Sequence, residues 1–164
     1  MAVSGTMAPA HNPTHAVDSR RPDPPQSLAR RLATFCLGLA GWRVIGGELL
    51  QTRAVIIVYP HTSNWDFVVG ILTKIALGLQ VRFIGKDTLF RWPLGVLMRY
   101  FGGIPVDRSH PAGLVDRMVG LFQGGQPLNL AIAPEGTRSW RPGWKSGFYR
   151  IALAAGVPVT VASI

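Results

Sequence analysis

The sequence predicts an α/β domain with a largely parallel central sheet flanked by helices, preceded by an amphipathic N-terminal helix and a disordered tail. Three observations carry this. From residue 54 onward, apolar runs alternate with capped or amphipathic segments, the pattern of strands joined by helices. The 164 residues are enough for one domain with a substantial core. Hydrophobic residues make up 48% and charged residues 15%, so the chain is greasier than an average soluble domain and has ample apolar surface to bury.

Residues 1–27 are rich in Pro, Ala, Ser and His and read as a disordered tail. His11 and His15 lie four apart, a metal spacing on a helix, but their Pro-flanked context argues against a helix. Ser27 suits the cap of a helix over 28–40. Leu28, Leu32, Phe35, Cys36 and Leu39 share one face of it, with Arg30 and Arg31 near its start. That face is either an interfacial anchor with arginines at headgroups or the packing face of an ordinary N-terminal helix. Residues 28–53 form this helix and a connector, and 54–164 form the main domain.

Within that domain a strand over 54–59 precedes a helix over 64–78. A short strand follows at 81–85, then a helix at 89–100 and a strand starting at 102–107. A helix over 111–123 has Pro111 at its start and Gly124 past its end. An apolar strand at 128–133, a helix at 146–155 closed by Gly156, and a strand at 157–164 complete the pattern. A chain that stops inside an apolar strand is expected to be a fragment or an early-terminated form, unless that strand is the sheet's last.

The charge balance narrows the partners. Lys and Arg number 17 against 8 Asp and Glu, a net charge of +9, which suits an anionic partner. Five Trp and the apolar bias favour a membrane surface over nucleic acid, because Trp prefers the interface. Neither a secretory h-region nor an apolar run of about 20 residues is present, so peripheral or monotopic placement at the cytoplasmic face of a membrane is expected. The single Cys36 excludes an intramolecular disulfide, and one Cys with four scattered His offers no structural zinc site. No Gly-x-Ser-x-Gly elbow exists, and Gly85-Lys86 lacks the upstream Gly of a P-loop because position 80 is Gln.

Three polar clusters each follow a strand: His61–Asp66, Asp107-Arg108 and Pro134-Glu135-Gly136-Thr137-Arg138-Ser139. Ligands of open α/β sheets gather at the carboxyl ends of strands, so these clusters are expected in one crevice. His61 is a candidate general base and Asp66 a candidate for orienting it. Residues five apart on one helix differ by about 140°, so the pair meets only if His61 precedes the helix. Ser63-x-x-Asp66 also resembles a capping box, and the two roles are compatible. Arg108 and Arg138 are candidate anion ligands through their planar guanidinium forks. Gly136 lets the backbone approach a ligand. Lys145 is a further cation for the same anion, or a solvated one. Trp140 and Trp144 are placed either at a membrane boundary or partly buried on the domain.

These residues resemble the glycerolipid acyltransferases, the group containing lysophosphatidic acid and glycerol-3-phosphate acyltransferases. His61-x4-Asp66 looks like their first motif, and Gly103-Ile104-Pro105-Val106-Asp107-Arg108 resembles their second. Pro134–Ser139 closely matches the third, Val157-Pro158-Val159 resembles the fourth, and Lys145-x-Gly147 matches the Lys-x-Gly between them. Pro60 stands where the family often has Asn, and Ala133 where it often has Phe. The resemblance implies transfer of an acyl group from a thioester to a lysophospholipid hydroxyl, with 1-acyl-glycerol-3-phosphate the foremost acceptor. It implies that His61 and Asp66 are catalytic, and that Arg108, Glu135, Gly136, Thr137, Arg138, Lys145 and Pro158 bind or shape the acceptor site. No bound cofactor and no metal is implied; acyl-CoA or acyl-carrier protein is the donor substrate, membrane lipids are partners, and nucleic acid is not. A different lipid acceptor, or an inactive truncated membrane-surface protein, is the alternative expectation.

Overall fold

The computed structural model describes residues 27–47, 51–60, 63, 65–107, 113–136 and 143–163. In chain order the elements are α1 (Leu28–Leu39), β1 (Arg53–Val58), α2 (Trp65–Leu77), β2 (Val81–Lys86), α3 (Leu94–Tyr100), β3 (Gly103–Val106), α4 (Leu114–Gly120), β4 (Leu128–Ile132), α5 (Gly147–Ala155) and β5 (Val159–Ala162). A 3₁₀ turn spans Asp87–Phe90 between β2 and α3. The five strands form one sheet in the order β3-β2-β4-β1-β5. Every pairing is parallel. The expected α/β class is therefore what is observed, with a sheet that is parallel throughout. The expected tail lies outside the described residues except for Ser27.

Neighbouring side chains of β2 show how the helices divide. The Phe83 ring meets Phe67 of α2 edge-on at 5.2 Å. Ile84, pointing the other way, packs on the core made by Val55, Met118, Phe122, Leu130 and Ile151, which α4 and α5 cover. Phe90 and Met98 close over Gly103 on the Phe83 side, so α3 shares that face with α2. Both faces of the central strands are thus covered, and Ala54 to Ile57 of β1 are all buried.

Pro93 shifts one expected element. The helix expected over 89–100 is split, because Pro93 cannot donate a backbone N–H to continue it. A 3₁₀ turn precedes it and α3 starts only at Leu94. The helix expected over 111–123 is also shorter. It begins after Gly113 and ends at Gly120, and the next residues turn through bonds from Leu121 to Met118 and from Phe122 to Val119. Pro111 lies outside the described residues. Gly156, in the left-handed region, closes α5 as its sequence position predicts.

Ser27 caps α1 through its hydroxyl, which accepts from the Arg30 N–H. The helix lies on α2 by its small side, burying Ala33 and Leu37, while Leu28, Leu32, Phe35 and Leu39 stay exposed. The Arg30 guanidinium rests against Gly78 at the C-terminal end of α2, where a cation meets the negative end of the helix dipole. Arg30 is therefore committed to α2, not to a headgroup. Lys74, in the last turn of α2, donates to the carbonyls of Val81 and Phe101, both at 2.8 Å, and ties the helix to the starts of β2 and β3. Burial, with Arg82 nearby, holds its ammonium pKa below the ordinary lysine value. Among the described residues, no helix is long and apolar enough to cross a membrane.

Candidate active site

Because all strands are parallel, their carboxyl ends share one edge of the sheet. The registers align that edge: Ile57 of β1 pairs with Ile132 of β4, and Val58 with Ala162 of β5. The segments leaving β1 and β4 are therefore neighbours. They diverge to opposite faces, β1 into α2 and β4 toward α5, which makes their junction the topological switch point where such sheets bind ligands.

The β1 exit carries the first half of the site. Tyr59-Pro60 leave the strand, and α2 begins at Trp65 with Asp66 in its first turn. Ser63 grips this carboxylate twice. Its backbone N–H donates to Oδ2 at 2.8 Å, and its hydroxyl donates to Oδ1 at 2.9 Å. The same hydroxyl accepts from the Trp65 N–H at 3.1 Å. The cap expected from Ser63-x-x-Asp66 is present, and Asp66 sits where the helix dipole favours its charge. His61 precedes the helix in sequence and lies outside the described residues.

The β4 exit carries the second half. Ala133 accepts from the Gly136 N–H at 3.1 Å, closing a turn with Pro134 and Glu135 at its centre. Gly136 has φ of +66°, a conformation that L side chains rarely adopt. The carbonyl of Pro134 accepts from the Lys145 N–H at 3.0 Å, so the ends of the loop are pinned together. The Lys145 side chain lies across Gly136: a Cβ there would come within 3.2 Å of its Nζ. Glu135 is half-buried. Trp144 meets Tyr59 at 5.3 Å between ring centroids and Phe148 at 6.0 Å, which braces this loop against the β1 exit. Trp144 packs on Tyr59 and Phe148 and is still 45% exposed; Trp140 lies outside the described residues.

The expected residues divide accordingly. Asp66 follows β1, Glu135 and Gly136 follow the adjacent β4, and Lys145 is bound back to Pro134. Asp107 follows β3 on the same edge. Arg108, Thr137 and Arg138 lie outside the described residues. Pro158 is elsewhere: its carbonyl accepts from the Val55 N–H near the start of β1, about 13 Å along the strand from the β1 exit. Sequence reasoning weighed Lys86 only as part of a P-loop and passed over Asp87. They leave β2, which lies between β3 and β4, so they stand between the Asp107 and Glu135 exits. Only the strand order could have pointed to them. Among the described residues, no group of three or more His, Cys, Asp or Glu is placed to hold a metal.

A family model described as Acyltransferase matches residues 41–164. The chain belongs to the acyltransferase family. This is the family of glycerolipid acyltransferases such as lysophosphatidic acid acyltransferase. The match spans both halves of the site and all five strands of the acyltransferase fold described here. No curated protein and no solved structure matches the chain.

Proposed function

We propose that this acyltransferase moves a fatty acyl group from acyl-CoA or acyl-carrier protein to the hydroxyl of a lysophospholipid, foremost 1-acyl-glycerol-3-phosphate, giving phosphatidic acid. The observation that carries the reading is Asp66, fixed by two Ser63 bonds at the head of α2 and adjacent to the Glu135-Gly136-Lys145 exit. A carboxylate held in one orientation is what an upstream imidazole needs to keep its tautomer and basicity. In this reading His61 takes the acceptor's hydroxyl proton, the oxygen attacks the thioester carbonyl carbon, and the C–S bond breaks. The departing thiolate takes up a proton. General-base catalysis of this kind contributes roughly 10²–10⁴-fold.

The acceptor's phosphate is assigned to Lys145 with Arg108 and Arg138, and the open backbone at Gly136 allows close approach. The reaction is placed at a membrane surface. Support comes from the net charge of +9 and from the exposed apolar side of α1, beside an exposed Trp65 one residue from Asp66. The test is thiol release from acyl-CoA and from acyl-carrier protein by the full chain, His61→Ala and Asp66→Asn. Both variants are expected to fold and to lose turnover; retained turnover in His61→Ala refutes the base assignment. Acceptors with and without a phosphate monoester test the substrate, since only the phosphate reading makes Lys145→Met, Arg108→Ala and Arg138→Ala selective for the former.

A further inference from the structure

We infer that the outer face of α3 is a contact surface for an anionic phospholipid bilayer, separate from the exposed side of α1. The helix has only two buried residues, Gly95 and Met98, on its inner side. Gly95 is required there, since a Cβ would lie 2.0 Å from the Phe90 carbonyl oxygen. Outward, one helical turn apart, stand Val96 and Tyr100, exposed to 66% and 81%, with Leu94 and Leu97 also exposed and Trp92, 87% exposed, in the turn just before the helix. Two amphipathic aromatics flanking an aliphatic centre match the preference of Trp and Tyr for the membrane–water boundary.

The rim of this stripe identifies its occupant. From Arg82 to Tyr100 the charged residues are Arg82, Lys86, Asp87, Arg91 and Arg99, a basic border with one acid. Lys86 and Arg91 are exposed, while the Arg99 guanidinium is engaged within the protein, donating to the Phe90 and Gly95 carbonyls and lying over the Phe90 ring. Anionic headgroups complement that border. A second copy of the chain does not, because two basic rims repel. A seven-residue helix is only about 10 Å long, too short for the roughly 800 Å² per partner of a stable dimer. The stripe also lies on the same side of the sheet as α2, on which α1 packs.

This inference rests on the membrane half of the proposed function, and its test reads binding instead of turnover. The full chain is sedimented with vesicles of phosphatidylcholine and of phosphatidylcholine mixed with phosphatidylglycerol. Trp92→Ser and the double variant Val96→Ser/Tyr100→Ser are expected to fold, because these side chains are exposed. Each is expected to lose about tenfold in partition onto the anionic vesicles. Leu153→Ser, equally exposed but on α5 across the sheet, is expected to bind as the wild type does. The inference is overturned if the stripe variants bind unchanged, if Leu153→Ser weakens binding as much, or if Trp92→Ser instead dissolves a vesicle-free dimer. A chain that binds as expected yet never turns over supports the surface and refutes acyl transfer alone.

Discussion

Ser63→Ala separates the two tasks of the β1 exit. The substitution deletes the 2.9 Å bond to Asp66 Oδ1 and the 3.1 Å bond from the Trp65 N–H, and leaves the 2.8 Å backbone bond to Oδ2. Loss of a helix cap of this type costs about 1 kcal/mol, within a range of roughly 0.5–2. The deleted bond to a carboxylate adds to this, but Ser63 is half-buried and water replaces part of it, so about 1–2 kcal/mol in total is expected. In a domain of this size that lowers Tm by about 3–8 °C. With one Ser63 bond in place of two the carboxylate is held less firmly, and under the proposed function kcat/KM for thiol release is expected to fall about tenfold, since small displacements of a positioning group are costly. Ser63→Thr keeps the hydroxyl and should restore both quantities. Under the proposed function, Asp66→Asn should lower kcat/KM for thiol release, because the carboxylate that orients the base is lost. Thermal denaturation and a thiol-release assay measure these effects. Wild-type stability and turnover in Ser63→Ala would refute the reasoning.

Three further substitutions probe the scaffold. Gly136→Ala forces a Cβ into a left-handed conformation and against Lys145, so KM for a phosphate-bearing acceptor should rise while Tm drops by only a few degrees; steady-state kinetics with two acceptors decide. Gly95→Ala drives a Cβ into the Phe90 backbone and should cost about 3 kcal/mol in urea unfolding. Lys74→Met strands the carbonyls of Val81 and Phe101 and should cost about 1–3 kcal/mol. It also changes the pH dependence. The folded pKa of Lys74 is depressed, so the unfolded chain keeps a proton that the folded one has lost, and stability rises with pH through the window ending near the ordinary value of about 10.4. Unfolding across alkaline pH should show that rise in the wild type and not in Lys74→Met.

The local parts of this fold were legible because their signals are local. Ser27, Ser63 and Gly156 act on the residues next to them, and the strand and helix succession follows from the hydrophobic runs alone. Two features escaped for one reason. The face of α1 read as its apolar side is Leu28, Leu32, Phe35 and Leu39, yet the helix packs by Ala33, Leu37 and the Arg30 contact with Gly78. Periodicity finds the apolar side of a helix but not what covers it. The place of Pro158 was hidden in the same way, since nothing near it in sequence shows that it precedes β5 at the amino end of the strand.

The candidate site was legible as residues and not as an arrangement. Asp66 and Glu135 are joined only by the order β3-β2-β4-β1-β5, which sets β1 beside β4 although β2 and β3 intervene in sequence. Under the proposed function, the helix cap at Asp66 and its role as partner of a base are compatible. Two carboxylate oxygens offer about four lone-pair directions, and Ser63 uses one on each. The Ser63 bonds restrain the plane of the carboxylate, each using one direction on its oxygen. A capped aspartate is therefore a better orienting group for an imidazole than an uncapped one. Asp66 follows β1, whose exit neighbours the β4 exit that leads into the Gly136 turn, the part of such sheets where ligands bind.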